Sequence, residues 1–297
     1  MQVYVLHFVQ MLFAVISRIS PALAAKVAWF LISHPGYFKF RTSVENELLE
    51  LAGPLAARAD ALNVVTSQGS MRVYHWMPGE PSPDGAPVAV LVHGWGAQGL
   101  YMAQFVEPLL NAGYQVAAVD LPGHGGSDGA STDAANSAEL VIATARALGR
   151  VDLLLGHSFG AIAVMLAAAG GPPLHDAVTP KQMVLLSAPG SLETIIRRIS
   201  RLLNLSEEAE TQLINQAEDN LTSSISALNA QNLLNRISCP AFLIHDENDA
   251  EIPISTGAIA SVTGENIQTL TTRDLGHRRV LLAPEVINAV AEFARKG

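Results

Sequence analysis

The stretch Gly156-His157-Ser158-Phe159-Gly160 has the residue types and spacing for a nucleophilic serine. It lies between a short apolar run, Val151-Asp152-Leu153-Leu154-Leu155, and an Ala/Leu/Val stretch from Ala161 to Ala169. The first reads as a buried strand and the second as a close-packed helix. A serine at the apex of such a strand–turn–helix must take a strained backbone conformation. Side chains two residues to either side would collide there, and glycine removes that crowding and leaves the hydroxyl exposed.

A serine hydroxyl is a weak nucleophile until a base takes its proton, and three further stretches offer the required groups. Leu275-Gly276-His277-Arg278-Arg279 supplies a histidine, which can accept a proton and return it to a leaving group. His245-Asp246-Glu247-Asn248-Asp249, with Pro253 beyond it, supplies carboxylates that hold a histidine in the correct tautomer. Asp249, four residues before the proline, is the preferred acid, and Asp246 is the alternative. His93-Gly94-Trp95-Gly96 is a glycine-rich turn that can aim backbone N–H groups inward. The backbone N–H of Trp95 and of Phe159 are assigned as the donors to an oxyanion, and losing one such donor costs on the order of 2.7–4 kcal/mol. The side chains of His93, His124 and Asp128 are read as structural. Arg278 and Arg279 are read as partners of nearby carboxylates, with an anionic substrate group as the alternative.

These pieces need a frame that brings distant segments to one edge. Val88-Ala89-Val90-Leu91-Val92 is an uninterrupted apolar run of the kind a central parallel strand requires. Further strands are expected over 62–66, 71–77, 115–119, 183–186, 241–244 and 267–270. Helices are expected over 43–61, 101–112, 132–148 and 284–295. The alternation implies right-handed crossovers and a parallel sheet covered on both faces. The chemistry-bearing stretches at 93, 120, 158, 246–249 and 277 all follow strands. Residues 78–87 read as loop.

Between Pro189 and Pro240 the rhythm breaks, with no strand where an α/β connection usually needs ~2–6 residues. Leu192, Ile195, Ile196, Ile199, Leu202 and Leu203 trace one helical face, and Ser206-Glu207-Glu208 opens another helix. The expected organisation is an N-terminal apolar helical segment over 1–42, a core over 43–189 and 238–297, and a small helical cap over 190–237. Residues 1–42 contain no Asp or Glu, the first acid being Glu45, but carry Arg18, Lys26, Lys39 and Arg41. Pro21 divides them into two apolar runs, the first too short for the ~20 residues a bilayer span needs. Ala22-Leu23-Ala24 resembles a cleavage site, yet no basic stretch precedes the apolar run. Helices docked on the core are the preferred reading. Peripheral membrane contact through this segment is the alternative, and the localisation expected is cytoplasmic or membrane-associated.

Composition narrows the classes. Of the 297 residues, 49% are apolar, and the mean hydropathy of +0.27 suits a large core rather than disorder. The formal charge of −9 argues against a nucleic-acid partner. A lone cysteine, Cys239, excludes an intrachain disulfide and a cysteine-based zinc site, and no metal-binding spacing is present. No cofactor is expected.

From about Leu62 onward the chain resembles the α/β-hydrolase-fold serine hydrolases. The resemblance rests on His93–Gly96, Asp120-Leu121-Pro122-Gly123-His124-Gly125-Gly126-Ser127, Gly156–Gly160, Asp249 and Gly276-His277. The run from His245 to Pro253 and Gly276–Arg279 resemble a group of bacterial hydrolases of poorly defined substrate. The first forty residues lie outside that pattern, and Asp246 stands where many members carry glycine. The resemblance implies an eight-stranded, mostly parallel sheet and a Ser…Asp…His order, here Ser158, Asp249 and His277. It also implies attack by Ser158 on a small acyl substrate, an acyl-enzyme, and hydrolysis assisted by His277. A serine at this position argues against the dehalogenase and epoxide hydrolase chemistry that uses aspartate there. A carboxylic ester with an apolar acyl part is the expected substrate, given the leucine- and isoleucine-rich insertion. A thioesterase, lactonase or acyltransferase uses the same site, and the contrary class is a binding protein that has lost the chemistry.

Overall fold

Apolar runs between Asp60 and Thr272 pair into one sheet in the computed structural model, which describes residues 2–37, 41–79, 85–221 and 224–297. Helices α1 (Gln2–Ile19), α2 (Pro21–Ser33) and α3 (Ser43–Ala56) precede strands β1 (Asp60–Thr66), β2 (Gly69–Trp76) and β3 (Val88–Val92). A 3-10 turn, Gly99–Phe105, runs into α4 (Val106–Leu110), followed by β4 (Gln115–Val119), α5 (Ala134–Leu148), β5 (Leu153–His157), α6 (Phe159–Ala169) and β6 (Gln182–Leu186). Then come α7 (Leu192–Leu203), α8 (Glu207–Leu221), α9 (Ala230–Leu234), β7 (Ala241–Asp246), α10 (Ala258–Ser261), β8 (Ile267–Thr272), α11 (Gly276–Arg279) and α12 (Pro284–Ala294). Lys39 and residues 80–84 of the expected 78–87 loop lie outside the described residues.

Among the described residues the sheet has eight strands in the order β1-β2-β4-β3-β5-β6-β7-β8. β2 is antiparallel to β1 and β4, and every other pairing is parallel. This is the α/β-hydrolase fold expected from the sequence. The central strands are buried on both sides, and their period-2 alternation divides two cores. Val88, Val90, Val92 and Leu154 join a layer with α5 and α6, while Ala89, Leu91, Leu153 and Leu155 join the opposite layer with α4 and α12.

Several element boundaries differ from expectation for identifiable reasons. β5 runs two residues further than read, because Gly156 and His157 pair with Leu185 and Leu186 of β6. The helix expected over 101–112 is a 3-10 turn followed by a short α-helix. Pro108 lacks an N–H and is tolerated only in the first turn of that helix. α3 stops at Ala56 because the chain must extend from Asp60 to pair with His75.

The strand-free interval is helical, as its periodicity suggests. Leu192, Ile196 and Leu203 of α7 and Ala209, Leu213 and Ala217 of α8 turn inward. What they meet includes the N-terminal segment, since α2 packs on α8 and α1 on α7. Ala24, Ala25 and Ala28 of α2 are buried, their small side chains permitting a close helix–helix approach. Ser20 caps α2 by accepting the Leu23 N–H at 3.3 Å, and Pro21 occupies the first helical position, where a missing N–H costs nothing. The apolar faces of α7 and α8 are therefore engaged in packing against α1 and α2.

Candidate active site

The elbow between β5 and α6 holds Ser158 at φ 54°, ψ −119°, outside the regions an L-residue ordinarily occupies. The glycines on either side are required sterically. A Cβ on Gly156 would come 2.6 Å from the Ala161 Cα, and one on Gly160 would come 2.4 Å from the carbonyl oxygens of Val92 and His93. Ser158 is tied into the sheet by its own N–H, which donates to the Leu186 carbonyl at 2.9 Å. Its hydroxyl lies 2.9 Å from His277 Nε2.

His277 reaches Ser158 from the first turn after β8, and its Nδ1 lies 2.7 Å from Asp249 Oδ2. An ionised carboxylate only accepts, so Nδ1 carries the proton and Nε2 is left as the acceptor for the serine hydroxyl. The other oxygen, Asp249 Oδ1, accepts the Glu251 and Ile252 N–H groups at 2.8 Å each. Burial pushes the Asp249 carboxyl up. The hydrogen bond and charge of His277, with the Ile252 N–H, outweigh it and hold the group below the usual carboxylate range. Asp249 is thus kept as an anion behind the histidine.

Asp246 occupies a different post. Its Oδ2 accepts from the Thr272 hydroxyl at 2.8 Å and the Leu275 N–H at 3.1 Å. Its Oδ1 accepts from the Gly276 N–H at 2.9 Å and the Asn248 N–H at 3.0 Å. The carboxylate therefore holds the backbone that carries His277, and it makes no bond to the imidazole. Desolvation raises its pKa, but these four donors lower it further and leave it below the usual range.

The loop after β3 lies against the elbow: a Cβ on Gly94 would stand 3.1 Å from the Ser158 Cβ. Two buried histidines lock this loop to the one after β4. His93 donates through Nδ1 to the Gly94 carbonyl at 2.7 Å and accepts the Leu121 N–H on Nε2 at 3.0 Å. His124 donates to the Pro122 carbonyl at 2.9 Å and accepts the Gly96 N–H at 2.9 Å. Each must be neutral to accept. Burial lowers the His93 pKa well below the ordinary value and brings that of His124 to about 4. Asp128 Oδ2 accepts the Ser70 N–H at 3.0 Å, fastening the same loop to β2. Phe159 opens α6, so its N–H has no partner within the helix, and Ser158 makes no side-chain cap there.

Further contacts tie the site to distant residues. Sequence alone pairs Arg278 and Arg279 with carboxylates but names none, and it does not foretell the others. His157 Nε2 donates to the His277 carbonyl at 2.9 Å, and burial holds this histidine neutral with a pKa of about 3. Its only sequence signal was a polar residue ending an apolar strand beside the serine. Arg278 is engaged by Glu45 of α3 and by Glu251 of the acid loop, and Arg279 Nη1 lies 3.6 Å from Glu47. Glu45 also closes a capping box with Thr42, a Thr-x-x-Glu signal present in the sequence. The Trp95 indole donates to the Ile32 carbonyl at the end of α2 at 2.7 Å. The N-terminal helices thereby touch the loop that flanks Ser158. Among the described residues no group of three or more His, Cys, Asp or Glu side chains is arranged to hold a metal ion.

With this geometry in view, comparison with known proteins places the chain. Residues 89–290 match the alpha/beta hydrolase family, and the chain belongs to it. It is 24% identical over 238 residues to lysophosphatidylserine lipase ABHD12 of Danio rerio, a match covering 70% of this chain and 58% of the lipase. It is 26% identical over 265 residues to the 2-hydroxy-6-oxononadienedioate/2-hydroxy-6-oxononatrienedioate hydrolase of Klebsiella pneumoniae, covering 75% and 90% of the two chains. Among solved structures it is similar to an esterase of Pyrococcus furiosus, with a TM-score of 0.59 and 20% identity over 80% of this chain and 90% of that one.

Proposed function

We propose that this member of the alpha/beta hydrolase family is a serine hydrolase that cleaves a carboxylic ester through an acyl-enzyme. The observation that carries the reading is the unbroken hydrogen-bonded chain from Ser158 Oγ to His277 Nε2 at 2.9 Å and from His277 Nδ1 to Asp249 Oδ2 at 2.7 Å. Three residues from three separate strand ends are joined in the order that nucleophilic catalysis needs.

In this mechanism Ser158 Oγ attacks the ester carbonyl carbon as His277 Nε2 takes its proton. The carbonyl π pair moves onto oxygen, and the backbone N–H groups of Trp95 and Phe159 receive the resulting oxyanion. The pair returns, the C–O bond to the alcohol breaks, and the proton on His277 passes to the leaving alkoxide. Water, deprotonated by His277, then attacks the acyl-enzyme. Its collapse returns the proton to Ser158 and releases the carboxylic acid. Asp249, anionic throughout, stabilises the imidazolium formed in each half-reaction. Asp246 and His157 hold the backbone of the histidine turn.

Relatives named as a lipase and an esterase favour an ester among the acyl groups this site accepts. The test is a serine-directed fluorophosphonate label combined with aryl-ester hydrolysis. The expected result is stoichiometric labelling of Ser158 and ester turnover, both lost in Ser158→Ala. A folded wild-type protein that takes no label and turns over no ester would be a binding protein on a hydrolase scaffold.

A further inference from the structure

The outer face of α1 is apolar from Phe8 to Ile19. Phe8, Met11, Leu12, Val15 and Ile19 are between 45 and 80% exposed. Their spacing places all five within about 100° of the helix circumference. The opposite face, with Phe13 and Ser17, is buried against the rest of the protein. α1 is therefore docked on the domain and still presents a second apolar face outward, which from Phe8 to Ile19 is about 18 Å long at 1.5 Å per residue. Leu23, at the start of α2, is exposed as well.

The charged side chains that α1 and α2 themselves carry are of one sign. Arg18 on α1 and Lys26 on α2 are both exposed, and neither has a carboxylate partner among the described residues. No acid precedes Glu45 in the sequence, and the acids near this face are the exposed Glu207 and Glu208 at the start of α8, where Ser206 meets the Ser17 carbonyl. In a protein of net charge −9, Arg18 and Lys26 are the charged side chains of α1 and α2 that an anionic surface would attract. No helix among the described residues is long and apolar enough to cross a membrane, which leaves the helix to lie flat.

We infer that the outer face of α1 docks in the plane of an anionic lipid bilayer, with Phe8, Met11, Leu12, Val15 and Ile19 entering the acyl–headgroup boundary and Arg18 and Lys26 meeting the phosphates. A helix of this kind binds through buried apolar area together with attraction to anionic headgroups. The docking segment is linked to the loop that flanks Ser158, since the Ile32 carbonyl of α2 accepts the Trp95 indole N–H. The inference stands on the surface alone and holds whether or not Ser158 is a nucleophile.

The experiment is vesicle flotation of the full chain, using phosphatidylcholine alone and phosphatidylcholine mixed with phosphatidylglycerol. Wild type is expected to float with the anionic vesicles and to be released by high salt. Met11→Ser/Val15→Ser should reduce its partitioning by at least about tenfold. Arg18→Glu/Lys26→Glu should reduce binding to the anionic vesicles by about fivefold or more for each basic side chain removed. All four positions lie on exposed side chains, and unfolding midpoints equal to wild type establish that both variants are folded. The inference is overturned if wild type floats with neither vesicle, if it floats equally with both, or if Met11→Ser/Val15→Ser floats like wild type. It is also overturned if wild type sediments as a dimer that Met11→Ser/Val15→Ser dissociates, since the face would then join two copies of the chain.

Discussion

Asp249 and Asp246 stand three residues apart and serve His277 in different ways. Asp249 holds the imidazole at 2.7 Å, whereas Asp246 accepts the Leu275 and Gly276 N–H groups that precede it, at 3.1 and 2.9 Å. Asp249→Asn is expected to leave the fold intact and lower kcat by roughly 10³–10⁴, because an amide no longer enforces the tautomer. Asp246→Asn should lower the melting temperature and reduce kcat to a lesser degree, by loosening the turn. Side-by-side kcat and thermal unfolding check this, and a larger kcat loss in Asp246→Asn would reverse the assignment.

His157 fixes the position of His277 through its backbone and touches no reacting atom in this mechanism. Removing its bond to the His277 carbonyl in His157→Ala should reduce kcat with little change in KM. His157→Gln, whose amide N–H can reach the same carbonyl, should recover part of the loss. A variant series in which KM rises instead would place His157 against the substrate.

Arg278 is held by Glu45 and Glu251, so its charge is already answered within the protein. Arg278→Ala is expected to lower kcat severalfold for neutral and anionic esters alike, by freeing the histidine turn from α3. A selective rise in KM for anionic esters would show instead that the guanidinium receives a substrate carboxylate or phosphate.

Gly160 admits no side chain. Gly160→Ala would drive a Cβ to 2.4 Å from two backbone oxygens of the β3 end, which cannot move without disturbing the central strand. The expected outcome is loss of ester turnover together with a lowered unfolding midpoint, a large effect for a single methyl group. An active, fully stable Gly160→Ala would mean that the elbow can relax.

Stability should fall as pH drops from neutral. His124 and His157 remain neutral in the folded protein down to about 4 and about 3, while in the unfolded chain both take protons near 6.5. The unfolded state thus binds more protons across this window. The associated stability is complete above pH 6.5, declines below it, and is lost as pH falls through the folded-state values. Each group contributes on the order of 3–5 kcal/mol over the full range. Urea midpoints measured from pH 7 to pH 5, before most carboxylates titrate, should decrease steadily. The slope should flatten in His124→Asn.

Much of this protein is written in local pattern. The uninterrupted run Val88–Val92 could only be a doubly buried strand, and the pair Gly156 and Gly160 around Ser158 already specified a strand-to-helix elbow, because short-range sterics decide both. The turns after strands that carry His93, Asp249 and His277 were legible for the same reason. A parallel sheet delivers successive strand ends to one edge, so their order along the chain predicts their meeting. What local pattern left undetermined was every relationship across more than one element. Asp246 and Asp249 are chemically identical, and only the path of the β8–α11 turn decides which faces the imidazole and which the backbone. The bonds from His157 to the His277 carbonyl and from Trp95 to Ile32 join residues 120 and 63 positions apart, where no periodicity reaches. The apolar residues of α7 and α8 suggested a substrate surface, and the structure places Leu192, Ile196, Leu203, Ala209, Leu213 and Ala217 in a core shared with α1 and α2 while Leu202 stays exposed. Apolar periodicity states only that a face must be covered. The tertiary structure decides what covers it, and on the outer side of α1 it leaves the face to meet whatever surrounds the protein.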